Sequence, residues 1–189
     1  MIKEPFYNPA LSYDQNYSDG PFGAFADGQV FGQTGEPHVD FHGHIVYTPF
    51  GIPPGPLLNS NFIKAAWDKG FNINVYKTVR TRAFPCHPWH NVVAVDVEGD
   101  LTLEKSTSPL QIKKNFDDPI SITNSFGVPS KDPDVWQADV AKAVSLQKPG
   151  QILVLSFMGT VWEGQSEAEF IGDFAQAAKL ALETKTPVL

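Results

Sequence analysis

An α/β fold built from parallel strand–helix units is what this sequence predicts: the N-terminal half of a TIM (β/α)8 barrel, with an irregular arm and a β-hairpin ahead of it. Three observations lead there. From Pro49 onward, apolar β-branched runs alternate with amphipathic stretches in the order strand, helix, strand, helix, strand, helix, strand, which is the pattern of parallel βα units. The run Gln151–Gly159, QILVLSFMG, is continuously apolar, as suits a strand covered on both faces. A complete barrel takes about 250 residues, and the 189 here supply three helices and the start of a fourth strand, Thr186–Leu189. A doubly wound open sheet fits the same count and stands as the alternative.

The elements follow in order. Residues 1–36 are rich in Gly, Pro, Asp and Asn without sustained period and read as a loop-like arm, with Phe6, Tyr7, Tyr13, Tyr17, Phe22, Phe25 and Phe31 to anchor it. The remainder, 37–189, reads as the partial barrel. HVDFHGHIVYT (38–48) alternates around Gly43 and predicts a short hairpin. PFGIPPGPL runs from a strand end into a loop. Asn59 or Ser60 caps a helix in which Phe62, Ile63, Ala66 and Trp67 share a face and which Gly70 stops. INVYKTV (73–79) is a strand. Residues 80–119 form a long excursion carrying one hairpin, VVAVDVEGDLTLE, turning at Gly99. ISITNSFG (120–127) is a short strand or extended segment running into a loop. Asp132 or Asp134 opens the next helix, with Val135, Trp136, Val140, Ala143 and Val144 apolar, ending at Pro149-Gly150. Ser166 opens the last, with Glu167, Glu169 and Asp173 early and Phe170, Phe174, Ala177, Ala178 and Ala181 along one side.

Composition narrows the function classes. With 14 Lys and Arg against 21 Asp and Glu, the net charge is −7, and no basic cluster offers a phosphate-binding surface, so nucleic acid is not the expected partner. No apolar run approaches the roughly 18 residues of a membrane span, and the polar N-terminus lacks a signal core. Cys86 is the single cysteine, which leaves no intrachain disulfide. A cytoplasmic protein is the expectation.

In a parallel barrel, reactive groups gather at the C-terminal ends of strands. Four segments fall there: Pro53-Pro54-Gly55, Lys77-Thr78, Asn124-Ser125-Phe126-Gly127, and Ser156–Gly159. A lysine closing an apolar strand needs an anionic partner, either a ligand or a barrel carboxylate in a structural ion pair. The Asn124 amide offers donor and acceptor together; an Asx turn before Gly127 is the plainer use. Pro53-Pro54-Gly55 serves equally as a tight loop with no ligand.

The stretch Gly51–Asn91, GIPPGPLLNSNFIKAAWDKGFNINVYKTVRTRAFPCHPWHN, together with ITNSFGVPS, resembles the flavin-dependent dihydroorotate dehydrogenase family, including its dihydropyrimidine dehydrogenase branch. The resemblance runs from about residue 39 to the end. It implies FMN as cofactor and oxidation of a dihydropyrimidine, dihydroorotate to orotate foremost, by proton abstraction and hydride transfer to flavin. By the same resemblance Pro53, Pro54 and Gly55 support the flavin, Lys77 and Thr78 match the family's Lys-Ser/Thr pair that touches flavin and substrate, and Asn124, Ser125, Phe126 and Gly127 hold the pyrimidine. Pro54 departs from the family's commoner small residue and removes a backbone N–H. The family's Cys or Ser base follows the fourth strand, so it is expected beyond Leu189, and the chain by itself is expected to be incomplete and inactive. Cys86 is not assigned that role.

Two other classes compete. VDFHGH (39–44) is similar to the His-x-His of amidohydrolase barrels, and His38, His42, His44, Cys86, His87 and His90 offer metal-ligand chemistry. The later ligands of that family have no room here, and no metal is expected. A non-catalytic half-barrel is the other class, a binding or assembly module pairing through sheet edges with a second copy or with the rest of a barrel.

Overall fold

The computed structural model describes residues 5–116 and 120–189. The arm's first four residues and the last three of the 80–119 excursion lie outside them. In chain order the elements are α1 (Tyr13–Asp19), β1 (Val39–Phe41), β2 (His44–Val46), β3 (Gly51–Ile52), α2 (Ser60–Asp68), β4 (Ile73–Val79), β5 (Val92–Asp96), α3 (Leu103–Ser106), β6 (Gln111–Lys113), β7 (Ile122–Asn124), α4 (Pro133–Leu146), β8 (Ile152–Phe157) and α5 (Glu167–Glu183).

The central sheet is parallel. β4 lies between β3, with Gly51 opposite Ile73, and β8, with Ile73 opposite Ile152. Val188 extends the sheet beyond β8 through a parallel bridge to Val154. Among the described residues, neighbours in this sheet follow sequence order. Gly51 is needed for the pairing: a Cβ there would sit 1.7 Å from the Ile73 carbonyl oxygen.

Helices α2 and α4 cover one face. Tyr76, Leu153 and Leu155 from the strands share a core with Phe62, Ile63 and Ala66 of α2 and Trp136, Val140 and Ala143 of α4. One carboxylate joins the layers. Asp139 of α4 accepts from the Ser60 N–H (2.7 Å) and hydroxyl (2.7 Å) at the start of α2, and from the Tyr76 hydroxyl of β4 (2.8 Å). A negative charge at a helix N-terminus is favourable, and burial, then Asp139, holds the Tyr76 phenol well above its usual range.

The hairpin forms as the alternation predicts, with Val39 opposite Val46 and Gly43 in the turn at φ 83°. The arm differs from the loop expected. Ser12 and Gln15 make a capping box that starts α1, a local signal too short to show as periodicity. Asn16 fixes it: its amide donates to the carbonyls of Asn8, Leu11 and Ser12, and its Oδ1 accepts from the Asn8 N–H. Tyr7, Tyr13 and Phe25 are buried, whereas Phe22 and Phe31 stay exposed. Lys69 pairs with Asp27 and donates to the Gln29 carbonyl at 2.9 Å, tying the arm's end to α2.

The excursion holds a second correction. β5 does not pair with LTLE, because Thr102 caps a helical turn, α3, in that segment. Its antiparallel partners are β6, with Val95 opposite Ile112, and β7, with Ala94 opposite Ile122. Asn124 therefore ends a strand of this small antiparallel sheet and not a strand of the parallel one.

The Asp139 junction sets the stability of the layered core. Asp139→Ala leaves the Tyr76 hydroxyl and the Ser60 N–H without their partner and is expected to cost about 2–3 kcal/mol. Tyr76→Phe, which spares both Ser60 bonds, is expected to cost about 1 kcal/mol. Urea unfolding of the two variants measures both.

Candidate active site

β4 delivers the main charged groups. Its ladder with β8 breaks between Tyr76 and Val79. At the break the Lys77 N–H turns to the Leu57 carbonyl at 3.0 Å, which ties the loop after β3 to the end of β4. That loop carries Pro53, Pro54 and Gly55. Pro53 and Gly55 are exposed, and a Cβ on Gly55 would meet nothing within 4 Å.

Lys77 is only 6% exposed. It lines a crevice of about 10 Å³ with Tyr13, Tyr17, Tyr76 and Ser130, room for about one water. The structural ion pair does not form: among the described residues no carboxylate lies within ion-pair distance of its ammonium. Burial, and then the positive charge of Arg80, bring its pKa down from 10.5 to about 8, with the Cys86 thiol opposing. Beside it the Thr78 hydroxyl is 2.9 Å from that of Ser156 on β8, so two hydroxyls stand together at adjacent strand ends.

Asn124 is exposed and sits opposite Val92. Its side-chain amide makes no hydrogen bond among the described residues, so the Asx turn is not used. The next residues are clamped from behind. Ser125 Oγ is 3.0 Å from His87 Nδ1, and the buried Asn91 amide donates to the carbonyls of Ser125 (3.0 Å) and His87 (2.9 Å). The His87 N–H donates to the Phe126 carbonyl at 3.1 Å. Phe126 packs edge-on against Tyr7 of the arm, centroids 5.4 Å apart. Gly127, at φ 72°, has the His87 ring where a Cβ would be, 2.4 Å from Nε2.

Arg80 joins the two halves, and the sequence reading passed over it. Its guanidinium, on a residue 6% exposed, donates from Nε to the Val128 carbonyl (2.9 Å), from Nη2 to that of Gly127 (3.4 Å), and from Nη1 to the Gly159 carbonyl and Thr160 Oγ1 (both 3.2 Å). The signal was available: a second cation closing the apolar strand three residues after Lys77 invites the same question. His87 and Asn91 were also missed as supports, and only a fold could have paired them with Ser125.

A larger cavity of about 480 Å³ lies between the arm and the loops, lined by Tyr13, Phe84, Cys86, His87, Asn91 and Lys131 among others. Burial first, then Asp14, pushes the Cys86 thiol upward, which leaves it a poor base at neutral pH. Among the described residues no three His, Cys, Asp or Glu side chains converge to hold a metal.

Among the described residues the strand ends thus gather a buried ammonium with no carboxylate within ion-pair distance, two hydroxyls in contact and an exposed amide with no hydrogen-bond partner. Of the expected residues, the fold links Pro53–Gly55 to Lys77 and Thr78 through Leu57. It links Asn124–Gly127 to the same strand end through Arg80.

Lys77 makes a measurable prediction. Its pKa is lower folded than unfolded, so the unfolded chain binds more protons between pH 8 and 10.5, and stability rises with pH across that window. The cost, about 3 kcal/mol at roughly 1.4 kcal/mol per pH unit of depression, is fully present below pH 8. Lys77→Met is therefore expected to be more stable at pH 7 by up to about 3 kcal/mol. The advantage should vanish above pH 10.5, as read by denaturant unfolding across pH.

No protein-family model matches the chain. A Dictyostelium discoideum protein named dihydroorotate dehydrogenase is 33% identical over 188 residues, covering 95% of this chain and 50% of that protein. The chain thus spans about half the length of the curated relative it matches. Over nearly its whole length the chain is thus similar to a protein named dihydroorotate dehydrogenase.

Proposed function

We propose that this chain carries the cofactor- and pyrimidine-facing groups of an FMN-dependent oxidoreductase that converts a dihydropyrimidine, dihydroorotate foremost, to its unsaturated product. The observation that carries the reading is Lys77, a buried ammonium at a parallel strand end with no carboxylate partner among the described residues. Support for a barrel comes from the parallel order β3, β4, β8 and Val188, which advances one neighbour at a time. Strand ends of that kind are where barrel enzymes place their chemistry.

Each residue has a role in this reading. Pro53, Pro54 and Gly55 would support the bound flavin. Lys77 would supply the positive charge that an anionic flavin or substrate carboxylate needs, and Thr78 a hydroxyl. The Asn124 amide meets the alternating N–H and C=O edge of the ring, with Ser125, Phe126 and Gly127 shaping the loop around it. Bound FMN supplies the hydride acceptor. We assign no base among residues 1–189.

Flavin binding by fluorescence quenching tests the proposal first. Lys77→Ala is expected to weaken FMN binding at least tenfold, the size of one charge-assisted contact. Asn124→Ala is expected to spare FMN and to weaken orotate about tenfold. Orotate affinity should also fall as pH rises through about 8, where Lys77 loses its proton. Flavin that stays free in the presence of the wild-type chain would remove the reading.

Helix α5 favours a second reading, an assembly module. It buries Ala177 and Ala181 but leaves Ile171, Phe174 and Leu182 exposed, an apolar surface that suits a second copy or further barrel units. A discrete dimer by sedimentation, broken by Ile171→Glu, is the result this reading requires.

A further inference from the structure

We propose that Arg80 is the positioning residue of the site: by bridging the carbonyls of Gly127, Val128 and Gly159, it holds the loop after β7 against the loop after β8. A guanidinium suits this use because its rigid fork points several donors at once, whereas a lysine offers a compact point charge. Arg80 is placed by independent contacts. Its N–H donates to Ser130 Oγ at 3.0 Å and its carbonyl accepts from Trp136 Nε1 at 3.1 Å. The guanidinium carbon lies 4.1 Å from the Phe84 ring centroid.

Two features distinguish this from an ordinary buried arginine. First, among the described residues its guanidinium donates to uncharged oxygens on two separate loops. Asp173 assists from a distance while bonding Thr81 Oγ1 (2.6 Å) and the Thr160 N–H (2.7 Å) instead. A partner carboxylate would neutralise the charge, so this arrangement keeps it and spends it on aiming backbone. Second, one bonded carbonyl belongs to Val128, whose φ is 52°. A β-branched residue is a true outlier in that region. The loop adopts this conformation with the Arg80 bond in place, four residues after Asn124. The groups facing Lys77 on this side are Arg80, Cys86, Tyr13, Tyr17 and Lys131, so the clamp also fixes the charge environment of the ammonium.

The ligand consequences rest on the flavin and pyrimidine reading; the clamp itself does not. The experiment therefore has two readouts on the full chain, with Arg80→Lys keeping charge but losing the fork. Hydrogen exchange without ligand is expected to accelerate at least tenfold in residues 124–130 and 158–161, with α2 and α5 unchanged. Orotate affinity in the presence of FMN is expected to fall at least tenfold, and adding Val128→Gly, which removes the cost of positive φ, should recover most of that loss. Acceleration spread evenly over the chain, or none, overturns the proposal, as does an affinity loss that Val128→Gly leaves untouched. Loosening confined to the two loops in a protein that binds no orotate keeps the clamp and overturns the pyrimidine reading alone. Should Arg80→Lys not fold, Thr160→Val removes a single bond of the clamp, and a smaller acceleration at 158–161 is the same test.

Discussion

The pairing of β4 on both edges is the constraint from which the rest of the site hangs. Ile73 meets Gly51 on one side and Ile152 on the other, and Gly51 permits the contact because any Cβ would strike the Ile73 carbonyl. From that fixed start the strand carries Tyr76 into the helix layer and Lys77, Thr78 and Arg80 to the loops. A slip by one residue would exchange these faces. It would put a phenol where the ammonium is and detach Asp139 from both α2 and β4.

The strand end is costly by itself. Two cations three residues apart, each 6% exposed, repel one another and have lost most of their water. Replacing such groups by apolar ones usually stabilises a protein. The energy is recovered elsewhere: α1 and α5 both begin with complete capping boxes, Asn59 caps α2, and Asp139 secures the junction. Strong local consistency around a strained, electropositive spot is how functional sites sit within stable folds. Here the strain has an address in Lys77 and in the positive φ of Val128.

What the sequence made legible follows from where the information lies. Ile73–Val79 and the strand at 152–157 are apolar runs with clear boundaries, and their composition decides them. Ser60–Asp68 was equally clear, because Asn59 caps it and Gly70 ends it at φ 86°. The short elements were not legible. Helix α1 is seven residues long, less than the window in which a period shows, and only the Ser12–Gln15 box marks it. The partner of β5 was misread because Leu101 and Leu103 alternate with polar residues as a strand would, yet both are exposed and Thr102 caps a turn. Pairing with Ile112 and Ile122 is a long-range choice that no local signal encodes. The site divides the same way. Lys77 announced itself by being a charge in an apolar strand, whereas Asn91 and His87 act through Ser125 and Phe126, and those contacts exist only once the chain has folded.

The division of labour between the two sheets explains why the ligand loop needs a clamp. In the parallel sheet, Lys77 and Thr78 sit at the break in the β4–β8 ladder but are held there by the Lys77 N–H bond to the Leu57 carbonyl and the Thr78–Ser156 hydroxyl contact, between paired residues on either side. Asn124 has no such anchorage. It ends a three-residue strand on the rim of a small sheet whose Ile112 and Ile122 are exposed, and short peripheral strands open locally at little cost. Precision at Asn124 must therefore be imported from the parallel sheet. The paths run through Arg80 from β4, through Asn91 and His87 from the preceding loop, and through Phe126 into the arm's aromatic residues. The arm thus has a structural reason to be ordered: Tyr7 and Tyr13 back the loop that presents the amide. Loss of either aromatic contact should be felt at Asn124 before it is felt in the core.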